Sequence, residues 1–312
     1  MNKASTVPPR DRRRLRATAA RVIEDVLGAP PRRVTSQPGG ASNFVFRVDH
    51  PEGEFIVRLG PAPDSLERFR KEQWAVAQAR GAGVPTADII VVGDSAVGQP
   101  YMVSRRTPGQ EASLHPERLS ILREMGRVAA RVHSVATTGY GHLTRQVDGS
   151  FTGRATWRDF LESEIALPAR LEILATHAML PAATIAELRA ILEAGPDADL
   201  SPVLNHGDLR LKNVLVDEAG KLSALIDWEH SLSMVAPAWE FALALHDLSI
   251  DDKQEFLRGY GASGAQLRDT ARFTKALNLI NYAPYVERHA ADAEWLERCR
   301  VRLSGALDLY SL

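Results

Sequence analysis

A change of hydrophobic period partway along the chain limits its fold more than any other feature. Residues 32–104 carry short β-type runs, Asn43-Phe44-Val45-Phe46-Arg47-Val48 and Glu54-Phe55-Ile56-Val57-Arg58-Leu59, joined by the turn His50-Pro51-Glu52-Gly53. Val34 leads into the turn Pro38-Gly39-Gly40, and Ile89–Val92 and Gln99–Ser104 are two more short runs. Only residues 65–80 break this pattern, with Leu66, Phe69, Trp74, Ala75 and Ala77 as inward positions of a helix. The stretch therefore predicts a five-strand antiparallel sheet with one helix inserted after the third strand. An amphipathic helix over 11–27 precedes it, stopped by Gly28 and Pro30-Pro31. After Thr107-Pro108-Gly109 the period becomes helical: about 116–136, 155–176, 181–194, 237–248, 265–289 and 292–310. One β insertion interrupts it, with strands at Val203–Asn205, Asn213–Asp217 and Leu222–Ile226 and a turn at Glu218-Ala219-Gly220. The expected division is a helical extension over 1–31, a sheet lobe over 32–106 and a mainly helical lobe over 107–312, an α+β architecture.

Composition narrows the class. With 45% hydrophobic residues the chain is globular, and its one cysteine, Cys299, has no partner for an internal disulfide, which suits a reducing cytosol. The longest apolar runs fall far short of the ~20 residues that span a bilayer. Five arginines lie between Arg10 and Arg16, but no apolar segment follows as a secretory signal requires. A net charge of −1 argues against a dedicated nucleic-acid binder. Residues 1–109 hold 17 basic and 11 acidic side chains, whereas 110–312 hold 21 and 28. That asymmetry fits a front part handling an anion and a back part handling a cation, although the N-terminal arginines alone account for much of it.

The chemistry is concentrated in Leu204-Asn205-His206-Gly207-Asp208-Leu209-Arg210-Leu211-Lys212-Asn213, followed by Leu225-Ile226-Asp227-Trp228-Glu229. An Asp, an Asn five residues on, and a second Asp delivered by a β-hairpin are the parts phosphoryl transfer needs. One carboxylate takes or orients the attacking hydroxyl, and an amide oxygen and a second carboxylate hold Mg²⁺ on the phosphates.

The paired motifs His-Gly-Asp-x-x-x-x-Asn and Ile-Asp-Trp-Glu resemble those of the aminoglycoside phosphotransferases and the wider choline-kinase-like group, and the resemblance runs from about Val34 to the C-terminal helices. It implies a protein-kinase-like fold of two lobes, a small antiparallel-sheet lobe and a mainly helical one. By position it implies Asp208 as catalytic base, Arg210 near the γ-phosphate, and Asn213 and Asp227 as metal ligands. Gly39, Gly40 and Ser42 correspond to the loop over the ATP phosphates, where glycines let backbone N–H groups approach an anion. Arg58 stands where protein kinases place a lysine on the third strand, with Glu72 as its helix partner and Glu67 as a competitor. Ser104 and Arg106 fall at the hinge that holds the adenine. Glu240 corresponds to a buried acid bracing the catalytic loop, with an ordinary first-turn acid at a helix N-terminus as the equal alternative. His206 is expected to pack beneath that loop, and His133 to be a core histidine.

The acceptor side is open. Trp228, Glu229, Trp157 and Asp247 are candidates for it. The expected function is ATP- and Mg²⁺-dependent phosphorylation of a small-molecule hydroxyl in the cytoplasm, by a monomer or homodimer, with GTP as the alternative nucleotide. An aminoglycoside-type antibiotic is the first expectation and another metabolite alcohol the second. A nucleotide-binding pseudokinase and a metal-dependent hydrolase are the rivals. The intact Asp208, Asn213 and Asp227 count against the first, and the absence of a close His pair counts against the second. A protein kinase is disfavoured because the segment from Asp227 to Trp239 has no room for an activation loop and no Ala-Pro-Glu.

Overall fold

The computed structural model describes residues 9–37, 43–197, 200–245 and 248–304. The chain divides into two units, Met1–Gln110 with Leu215–Glu229, and Glu111–Val214 with His230–Leu312.

The first unit is built on the predicted sheet. Strands β1 (Arg33–Ser36), β2 (Phe44–His50), β3 (Gly53–Leu59), β4 (Ile89–Gly93) and β5 (Tyr101–Arg105) lie in the order β1-β2-β3-β5-β4. The pairs β1–β2, β2–β3, β3–β5 and β4–β5 are all antiparallel. Alternation sorts the side chains. Phe46, Val48, Phe55, Val57, Leu59, Tyr101 and Val103 form one buried face with Ala19, Val22 and Ile23 of α1 (Pro9–Leu27). The N-terminal helix is therefore part of this core. Arg58 sits opposite Met102, and Ile56 opposite Ser104, on the other face.

Helix α2 (Ser65–Gly81) follows β3, with Phe69, Ala75, Val76 and Ala79 buried. The expected boundary at 106 leaves 215–229 with the helical part, but the contacts return that segment to the sheet unit. The reason is local. Leu225 donates its N–H to the Pro85 carbonyl at 2.8 Å and forms a parallel bridge with Thr86. That anchors β11 (Leu222–Leu225), which pairs with β10 (Val214–Val216), itself beside β6 (Gln110–Glu111).

The second unit is mainly helical: α3 (Arg118–Val132), α4 (Trp157–Phe160), α5 (Leu167–Thr176), α6 (Ala182–Ala194), α7 (Ala238–Ala244), α8 (Ile250–Tyr260), α9 (Gly264–Arg288) and α10 (Ala293–Ser304). Its main core combines Leu167, Leu171 and Leu174 of α5 with Leu188 and Leu192 of α6 and Leu277, Ile280 and Val286 of α9. Helices α3 and α8 pack closely because a glycine lies on each side of the contact. A Cβ on Gly126 would meet the Phe256 carbonyl at 2.0 Å, and one on Gly259 the Arg123 carbonyl at 1.8 Å. Among the described residues no helix is long and apolar enough to cross a membrane.

Three expectations are corrected here. The helix over 155–176 is broken: α4 runs into a π turn at Leu161–Ile165, and Ala166 turns left-handed with φ 52° before α5. Pro168 fits the break, since it has no N–H to continue the preceding turn and sits in the first turn of α5, where a missing donor costs nothing. A hairpin of β7 (Tyr140–Arg145) and β8 (Phe151–Arg154) stands where no strand is predicted. With β12 (Leu232–Val235) and β9 (Pro202–Asn205) it forms a sheet ordered β8-β7-β12-β9. Helix α8 is also absent from the sequence reading, although its ends are marked: Ser249 caps Asp252 N–H, and Gly261 closes it at φ 78°.

Candidate active site

In the second unit, β9 ends at Asn205 and the chain turns through His206-Gly207-Asp208. Gly207 has φ 79°, and a Cβ there would lie 2.1 Å from the His230 carbonyl oxygen, so only glycine fits this turn. Beneath it lies Glu240 on α7, 1% exposed. Its Oε2 accepts from His206 N–H at 2.6 Å and Gly207 N–H at 3.3 Å. His133 Nε2 stands 3.9 Å from the same oxygen, while its Nδ1 meets the Tyr260 hydroxyl at 2.9 Å. Burial opposes the charge on Glu240, but His133, His206 and the His206 N–H outweigh it and hold the carboxyl below its ordinary range. Tyr260 is pushed up by burial and by Glu240. His206 is fully buried, and its Nδ1 accepts from Asp208 N–H at 3.2 Å.

The carboxylate presented by this turn is held ionised. Asp208 is buried, which raises its pKa, but Lys212 Nζ at 2.9 Å, Arg210 Nε at 2.6 Å and Asn213 more than offset that. The net direction is below the ordinary aspartate range. Asn213, on the short 3₁₀ turn Leu211–Asn213, donates from Nδ2 to both the Asp208 carbonyl and Oδ2, at 2.8 and 2.9 Å. With the nitrogen so committed, its amide oxygen is the atom left to face a cation.

The first unit carries a second cluster, around Arg58. Nη1 bonds Glu72 Oε1 at 2.5 Å, and Nη2 lies 3.3 Å from Glu229 Oε2 and 4.0 Å from Asp227 Oδ1. The guanidinium is 13% exposed and lies over the Phe69 ring at 5.5 Å. Burial alone would lower its pKa, but Glu72, Asp227 and Glu229 outweigh that and keep it raised. For Glu72 burial dominates, aided by Asp227 and Glu229, and its carboxyl is pushed up against the pull of Arg58. Asp227 adopts φ 67°, a left-handed backbone that is uncommon outside glycine, and its side chain is 36% exposed. A strained, accessible carboxylate two residues beyond a strand end is a common mark of a functional position.

The chain matches the phosphotransferase enzyme family over residues 33–275. It belongs to that family. Hygromycin-B 4-O-kinase of Escherichia coli is 26% identical over 200 residues, which is 62% of this chain and 56% of that protein. The matched chain thus spans little more than half the length of this curated relative. Among solved structures, aminoglycoside phosphotransferase APH(4)-Ia has 18% identity and a TM-score of 0.69, covering 95% of this chain and 100% of that chain. A thermostable mutant of the same protein, in ternary complex with ADP and hygromycin B, has 18% identity and a TM-score of 0.67, covering 95% and 99%. Macrolide 2'-phosphotransferase MphH from Brachybacterium faecium has 18% identity and a TM-score of 0.58, covering 93% and 98%. The fold of this phosphotransferase-family chain is therefore the α+β, protein-kinase-like one that its motifs suggest.

The remaining site residues of this family member fall into three groups. Gly39, Gly40, Ser42 and Asp247 lie outside the described residues. Ser104 is buried on the Arg58 face of the sheet. Arg106 is tied to Glu54 at 2.9 Å. Glu67, the competitor for Arg58, pairs with Arg70 instead. Two acceptor candidates are taken up by packing. Trp228 is 1% exposed with Nε1 bonded to the Leu225 carbonyl at 3.0 Å. Trp157 packs on Phe160 and Phe273 and donates from Nε1 to the Leu192 carbonyl at 2.6 Å. A large aromatic beside a charged motif reads equally as core or contact; Trp228 is buried and Trp157 packs partly buried against the core.

Lys212 and Lys71 are missing from the sequence reading. Lys212 follows Asp208 by four residues, a spacing that could have flagged it. Lys71, which donates to the Glu229 carbonyl at 2.6 Å, has no signal beyond its place next to Glu72.

Proposed function

We propose that this protein transfers the γ-phosphoryl group of ATP to a hydroxyl of a small molecule in the cytoplasm, with an aminoglycoside-type antibiotic as the acceptor class. The observation that carries the reading is Asp208: a carboxylate kept ionised by Lys212, Arg210 and Asn213 on a turn that only glycine can make. The relatives complexed with ADP and hygromycin B support the nucleotide and the acceptor class.

In this reading Asp208 takes the proton from the acceptor hydroxyl as its oxygen bonds to the γ-phosphorus and the bond to the ADP oxygen breaks. Arg210 turns from Asp208 toward the transferred phosphoryl group. Arg58, braced by Glu72, holds the phosphates of the nucleotide. Asn213 and Asp227 offer an amide oxygen and a carboxylate, the hard oxygen donors that Mg²⁺ prefers, and would hold it. Bound there, Mg²⁺ neutralises charge on the phosphates. Main-chain groups around Ser104 and Arg106 are assigned to the adenine edge. Profiling ATP and GTP consumption against aminoglycosides, choline, sugars and other alcohols tests the proposal, and phosphorylation of an aminoglycoside is the expected result. Turnover only with another alcohol would overturn the acceptor class, and nucleotide binding with no turnover would favour the pseudokinase.

Two consequences concern the nucleotide. Arg58→Lys keeps the charge but loses the forked geometry, so the ATP KM should rise less than in Arg58→Ala. A near-normal KM and kcat for Arg58→Ala would remove Arg58 from the nucleotide site. Asp227→Ala should abolish the Mg²⁺ enhancement of ATP affinity. Titration calorimetry with and without Mg²⁺ measures it, and equal enhancement in variant and wild type would remove Asp227 as a ligand.

A further inference from the structure

The guanidinium that this reading gives to the nucleotide phosphates already holds an anion from the chain itself. Glu229 Oε2 lies 3.3 Å from Arg58 Nη2 and takes a hydrogen bond of 3.2 Å from Asn43 Nδ2. Asn43 is the residue directly after the stretch containing Gly39 and Gly40. Lys71, one residue before the Glu72 that braces Arg58, donates to the Glu229 carbonyl at 2.6 Å and so fixes the main chain beneath the carboxylate. With Glu72 at 2.5 Å and Asp227 at 4.0 Å, one arginine faces three carboxylates.

A carboxylate oxygen and a phosphate oxygen are the same kind of acceptor for a guanidinium. An anion that reaches Arg58 Nη2 must therefore displace Glu229 or share the nitrogen with it. The excess of carboxylates also repels a bare di- or triphosphate, and poor solvent screening around this half-buried group strengthens that repulsion.

We propose that Glu229 is an internal competitor of the nucleotide phosphates for Arg58, and that it makes the site reject phosphate tails that carry no divalent cation. Glu229 is then a specificity-determining residue. The inference rests on the nucleotide reading given above. Its mark is the sign of one effect. Glu229→Gln keeps the shape of the side chain and an oxygen to accept from Asn43, but removes the charge. Metal-free ADP should then bind more tightly, by roughly tenfold, the effect of about 1.4 kcal/mol at a partly buried charge. Mg²⁺-ADP should change much less, because the cation already offsets the repulsion. A residue that only supported the fold would give no gain on losing its charge.

The test is calorimetric titration of ADP into the full chain, once in EDTA and once in Mg²⁺, with thermal melts recorded for each variant. The wild type, Glu229→Gln and Glu229→Asp are compared. Glu229→Asp keeps the charge but draws it back by one methylene, so its gain in metal-free affinity should be smaller than that of Glu229→Gln. In an Arg58→Ala background the gain from Glu229→Gln should be smaller, since only the repulsion is relieved and no guanidinium is left to compete for. Unchanged or weaker metal-free ADP binding by Glu229→Gln, in a protein whose wild type binds ADP, overturns this inference and leaves the nucleotide reading standing. Should Glu229→Gln fail to fold, Glu229→Asp decides, and no gain there overturns the inference. Absence of ADP binding by the wild type in both conditions overturns the nucleotide reading, and this inference with it.

Discussion

Asp208→Asn should lower kcat by on the order of 10²-fold or more while nucleotide affinity stays close to wild type, the size expected when an acid–base group is lost. The replacement is nearly isosteric and can still meet Asn213 and Lys212 through its amide oxygen. The loss should therefore fall on proton transfer and not on folding. The pH dependence follows from the neighbours. Lys212, Arg210 and Asn213 hold the Asp208 carboxyl below its ordinary range despite burial, so the ionised form persists to lower pH than in a free aspartate. The acid limb of kcat/KM assigned to Asp208, which reports the free enzyme, should lie below the ordinary aspartate range. Lys212→Met should move that limb upward. Wild-type turnover of the preferred acceptor by Asp208→Asn would remove Asp208 as the base.

Glu240→Ala should cost about 3–5 kcal/mol of stability, the range for breaking a buried charged network by removing one partner. The carboxylate is the acceptor for His206 N–H and Gly207 N–H, and its loss leaves buried donors beside His133 with nothing to accept from them. Glu240→Gln keeps one acceptor oxygen and should cost less. Because the folded pKa of Glu240 is lowered, its contribution is fully present above the unfolded glutamate pKa. It is lost only as pH falls through the lower folded value, so the wild-type advantage over Glu240→Gln should shrink at acid pH. Denaturant unfolding across a pH series measures both effects. A change under ~0.5 kcal/mol in Glu240→Ala, within the range of ordinary surface substitutions, would mean that the turn carrying Asp208 does not depend on this carboxylate.

Much of this follows from local sequence, because the determinants are local. The strand runs around Phe46 and Val57 need only a period of two to fix which side chains are buried, and that alternation places Arg58 opposite its neighbours. The spacing from Asp208 to Asn213 spans one tight turn, so the amide reaches the carboxylate whatever the rest of the chain does. The Arg58–Glu72 pair is legible for the same reason: β3 and α2 are consecutive, and the partners lie 14 residues apart.

What the tertiary structure alone decides involves groups far apart in the chain. Glu229 meets Arg58 across 171 residues and Asn43 across 186, and no periodicity encodes either meeting. Glu240 meets His206 across 34 residues, and only the motif resemblance singled it out in advance. The segment 215–229 reads as part of the helical lobe until the Leu225–Pro85 bond joins it to the sheet unit. Trp157 and Trp228 are ambiguous in sequence because aromatic rings serve a core or a ligand equally well, and only the folded chain shows their indole nitrogens bonded to Leu192 and Leu225. A single sequence reports propensity and spacing over a few residues, whereas the field around Arg58 is set by carboxylates that only the folded chain brings within 4.0 Å.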